Sequence, residues 1–133
     1  MIAYRVGNDL SVDAVIRLLE ASTLAARRPV DDPSIIADMI RHAPLLVSAW
    51  DGERLVGVCR TLTDFSYCCY LSDLAVDRAF QQQGIGRELV ERCRAVLGDE
   101  VAIILLSAPE AMDFYPRLGF EPVANGFIVR RAR

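Results

Sequence analysis

The chain has 133 residues, 53% of them hydrophobic, and a net charge of −3, with every one of its fifteen basic residues an arginine. That length suits one domain over 1–133 with a single core and no disulfide staples, and a pI near 5.1 argues against general nucleic-acid binding. The longest aliphatic run, 101–106, is far short of the ~18 apolar residues of a membrane span, and the first residues read as a strand rather than a signal peptide. A soluble cytoplasmic protein that does not enter a membrane is expected.

In chain order, 2–6 reads as a strand. A first helix follows over about 11–24, where Val12, Val15, Ile16, Leu19 and Thr23 share one face at helical spacing. The connection 25–32 holds Arg27 and Arg28, and Asp32-Pro33 then marks a helix start, a capping carboxylate before a proline at the first helical position. That second helix covers about 33–43. The strands 45–50 and 55–63 flank Asp51-Gly52, a hairpin signal, and a loop near 64–66 leads to a strand over 67–76. A third helix opens at Gly84, carries Ile85, Leu89, Cys93, Val96 and Leu97 along one stripe, and ends at Gly98. The run 101–106 suits a strand covered on both faces. Pro109 starts a fourth helix ending before Gly119, and 120–131 is expected to close the chain as a strand or as a hairpin around Asn125-Gly126. There is no internal repeat and no linker.

The most informative stretch joins the strand ending at Val76 to the third helix: Gln81-Gln82-Gln83-Gly84-Ile85-Gly86-Arg87. The first N–H groups of a helix lack partners, and its N-terminus carries about half a positive charge. Glycines at that point remove the Cβ atoms that would keep a phosphate away, so the stretch reads as a pyrophosphate cradle. It is not a dinucleotide fingerprint, because Leu89 stands where the third glycine belongs. Nor is it a P-loop, since the chain has no lysine. Cys59, Cys68, Cys69 and Cys93 have no Cys-x-x-Cys spacing and no neighbouring histidine, and they read as small apolar fillers rather than as a metal or redox site.

Residues 81–86 resemble the Gln/Arg-x-x-Gly-x-Gly/Ala signature of the GNAT superfamily of acyl-CoA-dependent N-acyltransferases. Phe114-Tyr115-Pro116-Arg117-Leu118-Gly119-Phe120 resembles that family's late Phe-Tyr-x-x-Leu-Gly-Phe motif, and Leu71–Val76 resembles its fourth strand. The three segments span 71–120 in the family's order. The resemblance implies an α/β GNAT fold: a mixed, mostly antiparallel central sheet flanked by helices, with one parallel pair of strands that splays apart. It implies acetyl-CoA as the cofactor, coenzyme A as the product and no metal. The pantetheine arm would lie against Leu74, Ala75 and Val76 in the splay. The pyrophosphate would sit on the backbone of Gln81, Gln82, Gln83, Gly84, Ile85 and Gly86, with Arg87 adding a charged contact.

By the same resemblance Tyr115 lies near the thioester sulfur and gives a proton or a hydrogen bond to the departing thiolate. A phenol of pKa about 10 is still protonated at neutral pH, where a thiol of about 8.5 leaves as thiolate. An acceptor alkylamine of pKa about 10.4 is only ~0.04% neutral at pH 7, so a base would help. Asp73 is the first candidate, with a paired structural carboxylate as the competing reading, and Asp64 is the second. Strand alternation puts Asp73 with Leu71 and Ala75, opposite Leu74 and Val76, unless a bulge intervenes. His42 reads as a helix-end histidine and Trp50 as core. The family builds its acceptor pocket from the connection between the first two helices, where Arg27 and Arg28 would suit an anionic group or would simply be solvated.

Two departures stand out. Ala108 replaces an asparagine that many relatives carry, and Pro116 falls inside the last helix, where it removes a hydrogen bond. The resulting expectation is direct acetyl transfer to the primary amine of a small molecule, with homodimerisation by analogy alone. The alternative is a non-catalytic acyl-CoA-binding or sensing module.

Overall fold

Amphipathic runs and capping residues set the elements of the computed structural model, which describes residues 1–132. The elements are β1 (Ile2–Val6), α1 (Val12–Ser22), α2 (Pro33–Arg41), β2 (Leu45–Asp51), β3 (Arg54–Thr63), β4 (Cys68–Val76), α3 (Ile85–Leu97) and β5 (Ala102–Leu105), with single 3-10 turns at Leu24–Arg27, Arg78–Phe80, Pro109–Ala111 and Tyr115–Leu118. Ser11 caps α1 by accepting from the Ala14 N–H, and Asp32 caps α2 by accepting from the Ser34 N–H with Pro33 behind it. No helix among the described residues is long and apolar enough to cross a membrane.

The five strands form one sheet in the order β1-β2-β3-β4-β5. The first three pairings are antiparallel and β4–β5 is parallel, which is the mixed sheet expected. Alternation along β2 supplies both faces. Leu45, Val47 and Ala49 pack towards α3, while Leu46 packs towards α1 and α2. The central strands are therefore buried on both sides between helices, but β5 is not covered on both faces as expected. Ile103 and Leu105 pack on the α3 side, while Ile104, and Tyr70 beside it in β4, stay exposed on the other because no helix among the described residues reaches that edge. Gly57 in β3 lets α3 settle closely, since a Cβ there would lie 3.1 Å from Leu89 Cδ1 and 3.2 Å from Ile85 Cγ2. Cys59, Cys69 and Cys93 are buried fillers and Cys68 is exposed, so the neighbouring pair does point to opposite faces.

One irregularity shapes everything that follows. In the β3–β4 ladder Arg60 faces Asp73 and Thr61 faces Leu71, so Ser72 has no opposite residue. This bulge inverts the alternation of β4. Cys69 and Leu71 before it point to the α3 face, whereas Ala75 after it points to the α1–α2 face. Pairing with β5 runs from Cys68↔Ala102 to Leu71↔Leu105 and stops there, while β3 stays paired with β4 as far as Val76. Beyond the bulge, β4 has a neighbour on one side only.

The C-terminal region departs from expectation twice. The predicted fourth helix is two separate 3-10 turns, with i→i−3 bonds from Ala111 N–H to Ala108, from Phe114 N–H to Ala111 and from Arg117 N–H to Phe114. Pro116 has no N–H to give, so an α-helical ladder cannot run through that point. The predicted closing strand or hairpin over 120–131 does not form. Val123, Phe127 and Val129 are exposed there, and without a partner ladder an extended segment is not a strand.

Candidate active site

The splay opens into a cleft of about 820 Å³. Its walls are β4 beyond the bulge, the start of α3, the end of α1 with the turn after it, and the two 3-10 turns that follow β5.

The backbone of β4 faces this cleft in a defined way. Asp77 N–H donates to Val56 O at 2.9 Å, so odd-numbered residues turn their backbone groups towards β3. Gln81 Nε2 donates to the Val76 carbonyl at 3.0 Å, which shows the even-numbered groups turned to the open side. Leu74 and Val76 thus present unladdered amides and carbonyls to whatever enters, the arrangement that an added strand would use. Ala75 lines the cleft as well, although its side chain packs towards α1 and α2.

The glycine loop before α3 leaves backbone N–H groups open towards the cleft. Gly84 precedes α3 with φ +84°, no side chain caps the helix, and a Cβ at Gly84 would meet nothing within 4 Å. The first bond of the ladder is Glu88 N–H to Gly84 O at 3.0 Å. The N–H groups of Ile85, Gly86 and Arg87 come before it and have no helical acceptor. Gln82, at φ +64°, adds a second left-handed residue to the loop. Gln81, Gln82, Gly84, Ile85, Gly86 and Arg87 all line the cleft, and Gln83 in the same loop does not. Gly86 answers a packing demand too, because a Cβ there would lie 3.2 Å from Phe114 Cζ. Arg78, Arg87 and Arg117 also line the cleft. Arg87 Nη2 donates to the Arg117 carbonyl at 3.2 Å, tying α3 to the last turn.

Tyr115 lines the cleft from the other wall. Phe114 and Phe120 hold its ring edge-on, with centroids 5.2 and 5.7 Å away. Burial, with a smaller push from Cys59, drives its phenol up to about 12. The group is a fixed hydroxyl donor throughout the neutral range.

Asp73 is a different matter. It is 3% exposed and does not line the cleft. Arg28 Nε donates to one of its oxygens and Arg60 Nε to the other, each at 2.5 Å. Both carboxylate oxygens are thus occupied by guanidinium donors, and neither is offered to the cleft. The bulge is the physical reason, since it sets Asp73 with Ala75 on the α1–α2 face and Leu71 on the opposite one. Asp64 instead caps a turn, accepting from the N–H groups of Ser66, Tyr67 and Cys68 at 2.8–3.2 Å. His42 ends α2 and is exposed, and half-buried Trp50 donates to Ser48 Oγ at 2.8 Å. Among the described residues the one carboxylate lining the cleft is that of Glu110, with Arg27 Nη2 3.8 Å away. Sequence reading passed over Glu110, because a lone glutamate after a proline carries no signal of its own. Only the meeting of the two connections places it at the cleft.

The chain belongs to the GNAT acetyltransferases: the profile of the acetyltransferase (GNAT) domain matches residues 29–131. It is similar to GCN5-related N-acetyltransferase 2, chloroplastic, of Arabidopsis thaliana, being 37% identical over 83 residues, which cover 57% of this chain and 32% of that protein. The chain thus spans about a third of the length of the curated relatives it matches. In fold it is similar to a GNAT-family acetyltransferase of Streptococcus pneumoniae TIGR4, at TM-score 0.79 and 22% identity with both chains fully covered. It also resembles an aminoglycoside N-acetyltransferase solved in complex with CoA, at TM-score 0.73 and 16% identity, covering 100% of this chain and 96% of the other.

Proposed function

We propose that the protein is an N-acetyltransferase that binds acetyl-CoA in the cleft and passes the acetyl group directly to the primary amine of a small molecule. The observation that carries this reading is the coincidence of three features on one cleft. These are the unladdered backbone of Leu74 and Val76, the unpartnered amides opening α3, and the protonated hydroxyl of Tyr115. The residues fit the cofactor. Ile85, Gly86 and Arg87 would hold its diphosphate through backbone N–H groups, with Arg78, Arg87 and Arg117 balancing charge. Leu74 and Val76 would pair with the pantetheine amides once the Gln81 side chain releases the Val76 carbonyl.

Bound acetyl-CoA supplies an acyl carbon activated by a thiolate leaving group. Tyr115, protonated and lining the same cleft, would serve that leaving group as a hydrogen-bond or proton donor. The exposed Glu110 carboxylate, beside the turn after α1, would draw in an ammonium and accept its proton directly or through water. Asp73 is given no role as base. The name of one soybean relative is a histone acetyltransferase, so a lysine-bearing peptide belongs in any acceptor screen beside amino acids, polyamines and aminoglycosides.

The second reading, a binding or sensing module, draws on the engagement of Asp73, which leaves the cleft with a single exposed carboxylate among the described residues. One experiment separates the two. Titration with coenzyme A should release heat under either reading, whereas free thiol should appear from acetyl-CoA only if some amine is acetylated. Heat without thiol across the whole screen favours the module, and no heat at all removes both readings.

A further inference from the structure

The two arginines between α1 and α2 go separate ways. Arg27 stays half exposed beside Glu110, while Arg28 turns inward, with 22% of its side chain exposed. Arg28 Nε donates to Asp73 Oδ1 at 2.5 Å, its Nη2 to the Ser72 carbonyl at 2.7 Å, and its Nη1 to the Arg27 carbonyl at 2.8 Å. From β3, Arg60 Nε donates to Asp73 Oδ2 at 2.5 Å and its Nη2 to Ser72 Oγ at 2.8 Å. Two guanidinium forks therefore close on the bulge, one from the neighbouring strand and one from a loop 45 residues earlier in sequence. Ser72 is the first residue of β4 beyond its last pairing with β5, so Arg28 satisfies a carbonyl at the point where the splay begins.

We infer that Arg28 is a positioning residue: it locks the α1–α2 connection onto the β4 bulge, so that the wall formed by Thr23 and Leu24 stands at a fixed distance from the splay that would receive the acyl thioester. Three arguments support the assignment. The contact is two-pronged and planar, a geometry that arginine provides and lysine does not. The connection's other anchors are weaker: its own backbone bonds are short-range, such as Ala26 N–H to Thr23, Arg28 N–H to Ala25 and Val30 N–H to Arg28, Leu24 and Val30 are only partly buried against the core, and the Arg27–Glu110 pair is exposed. Finally, the residue that opens the cofactor cleft and the residue that holds the facing wall are bonded to each other, so a ligand entering along β4 acts on both.

The kinetic consequence rests on the acetyltransferase reading; the mechanical one does not. Arg28→Met is the informative variant, because Asp73 keeps Arg60 as its partner. Removing Asp73 would instead leave two guanidinium groups facing each other without an anion. Hydrogen exchange of the 24–30 backbone, with and without coenzyme A as the probe, reads the lock directly. In Arg28→Met exchange there should accelerate by about tenfold or more, with 45–51 unchanged and Arg28→Lys between the two. Coenzyme A should slow exchange at 24–30 in the wild type and fail to do so in Arg28→Met, while its Kd moves by no more than about twofold. With the amine turned over fastest in a screen, KM should rise by more than kcat falls. Equal exchange at 24–30 in wild type and variant would overturn the lock, as would losses of coenzyme A affinity and of protection spread evenly over the chain. Failure of coenzyme A to bind the wild type would remove the acetyltransferase reading and leave the exchange comparison to judge the lock.

Discussion

Tyr115 concentrates the proposed chemistry in one side chain. Held edge-on between two phenylalanines and pushed up to about 12, it has a folded value above the ordinary 10. Its neutral form therefore favours the folded state fully below pH 10, and that contribution is lost as the pH rises from 10 through 12. Two outcomes follow. Tyr115→Phe should lower kcat by about a hundredfold while coenzyme A affinity stays within about twofold, measured by thiol release and calorimetry. In an ultraviolet titration of tyrosinate the same substitution should remove the last tyrosine to ionise, and a wild type fully ionised by pH 10.5 would contradict the burial argument. At Glu110, the exposed carboxylate limits the expected effect. Glu110→Gln should raise KM for a cationic amine only about two- to fivefold, and high salt should erase the difference.

At the scale of elements, α3 works because its first turn is pressed against the sheet. Gly57 allows that approach, and a methyl group there must move Leu89 and Ile85. Gly57→Ala is expected to cost about 1–3 kcal/mol of stability and to weaken coenzyme A binding with it, since the shifted turn carries the unpartnered amides. Chemical denaturation and calorimetry on the same variant check the pair of effects, and weakened stability with unaltered binding would separate the helix position from the site. The cradle itself was legible, because 81–87 joins glycines, a strand end and a helix start within a few residues. The fourth helix was not. Pro109 and Gly119 read as its start and stop, yet prolines at 109 and 116 leave only i→i−3 bonds between them. The role of Asp73 was equally hidden, because it depends on one unpaired residue, Ser72, whose effect on alternation exists only once β3 is alongside.

The whole molecule is held at its turns by carboxylates. Hydrogen bonds from Ser34 lower Asp32, and N–H groups led by that of Tyr67 lower Asp64. At Asp77 burial pushes upward, but the Ala79 N–H and Arg54, whose Nη2 lies 2.7 Å away, outweigh it. Folded values below the ordinary 3.8 mean that these groups contribute fully above about pH 4, and that the contribution is lost as pH falls through the folded values. The melting temperature should therefore be nearly flat from pH 7 to about 4.5 and fall below that. Asp77→Asn should melt lower at pH 7 and show a shallower acid slope, and an unchanged slope would remove Asp77 from the account.

The amino-acid sequence alone determined the starts of α1, α2 and α3, the hairpin, the central strands and the glycine turn into α3, because each follows from neighbours a few residues apart. Tertiary structure decided where β4 leaves β5, which face Asp73 occupies, how Arg28 is spent and why Glu110 reaches the cleft. Those outcomes depend on pairing register and on contacts between distant segments, energies that no local pattern contains until the chain has folded.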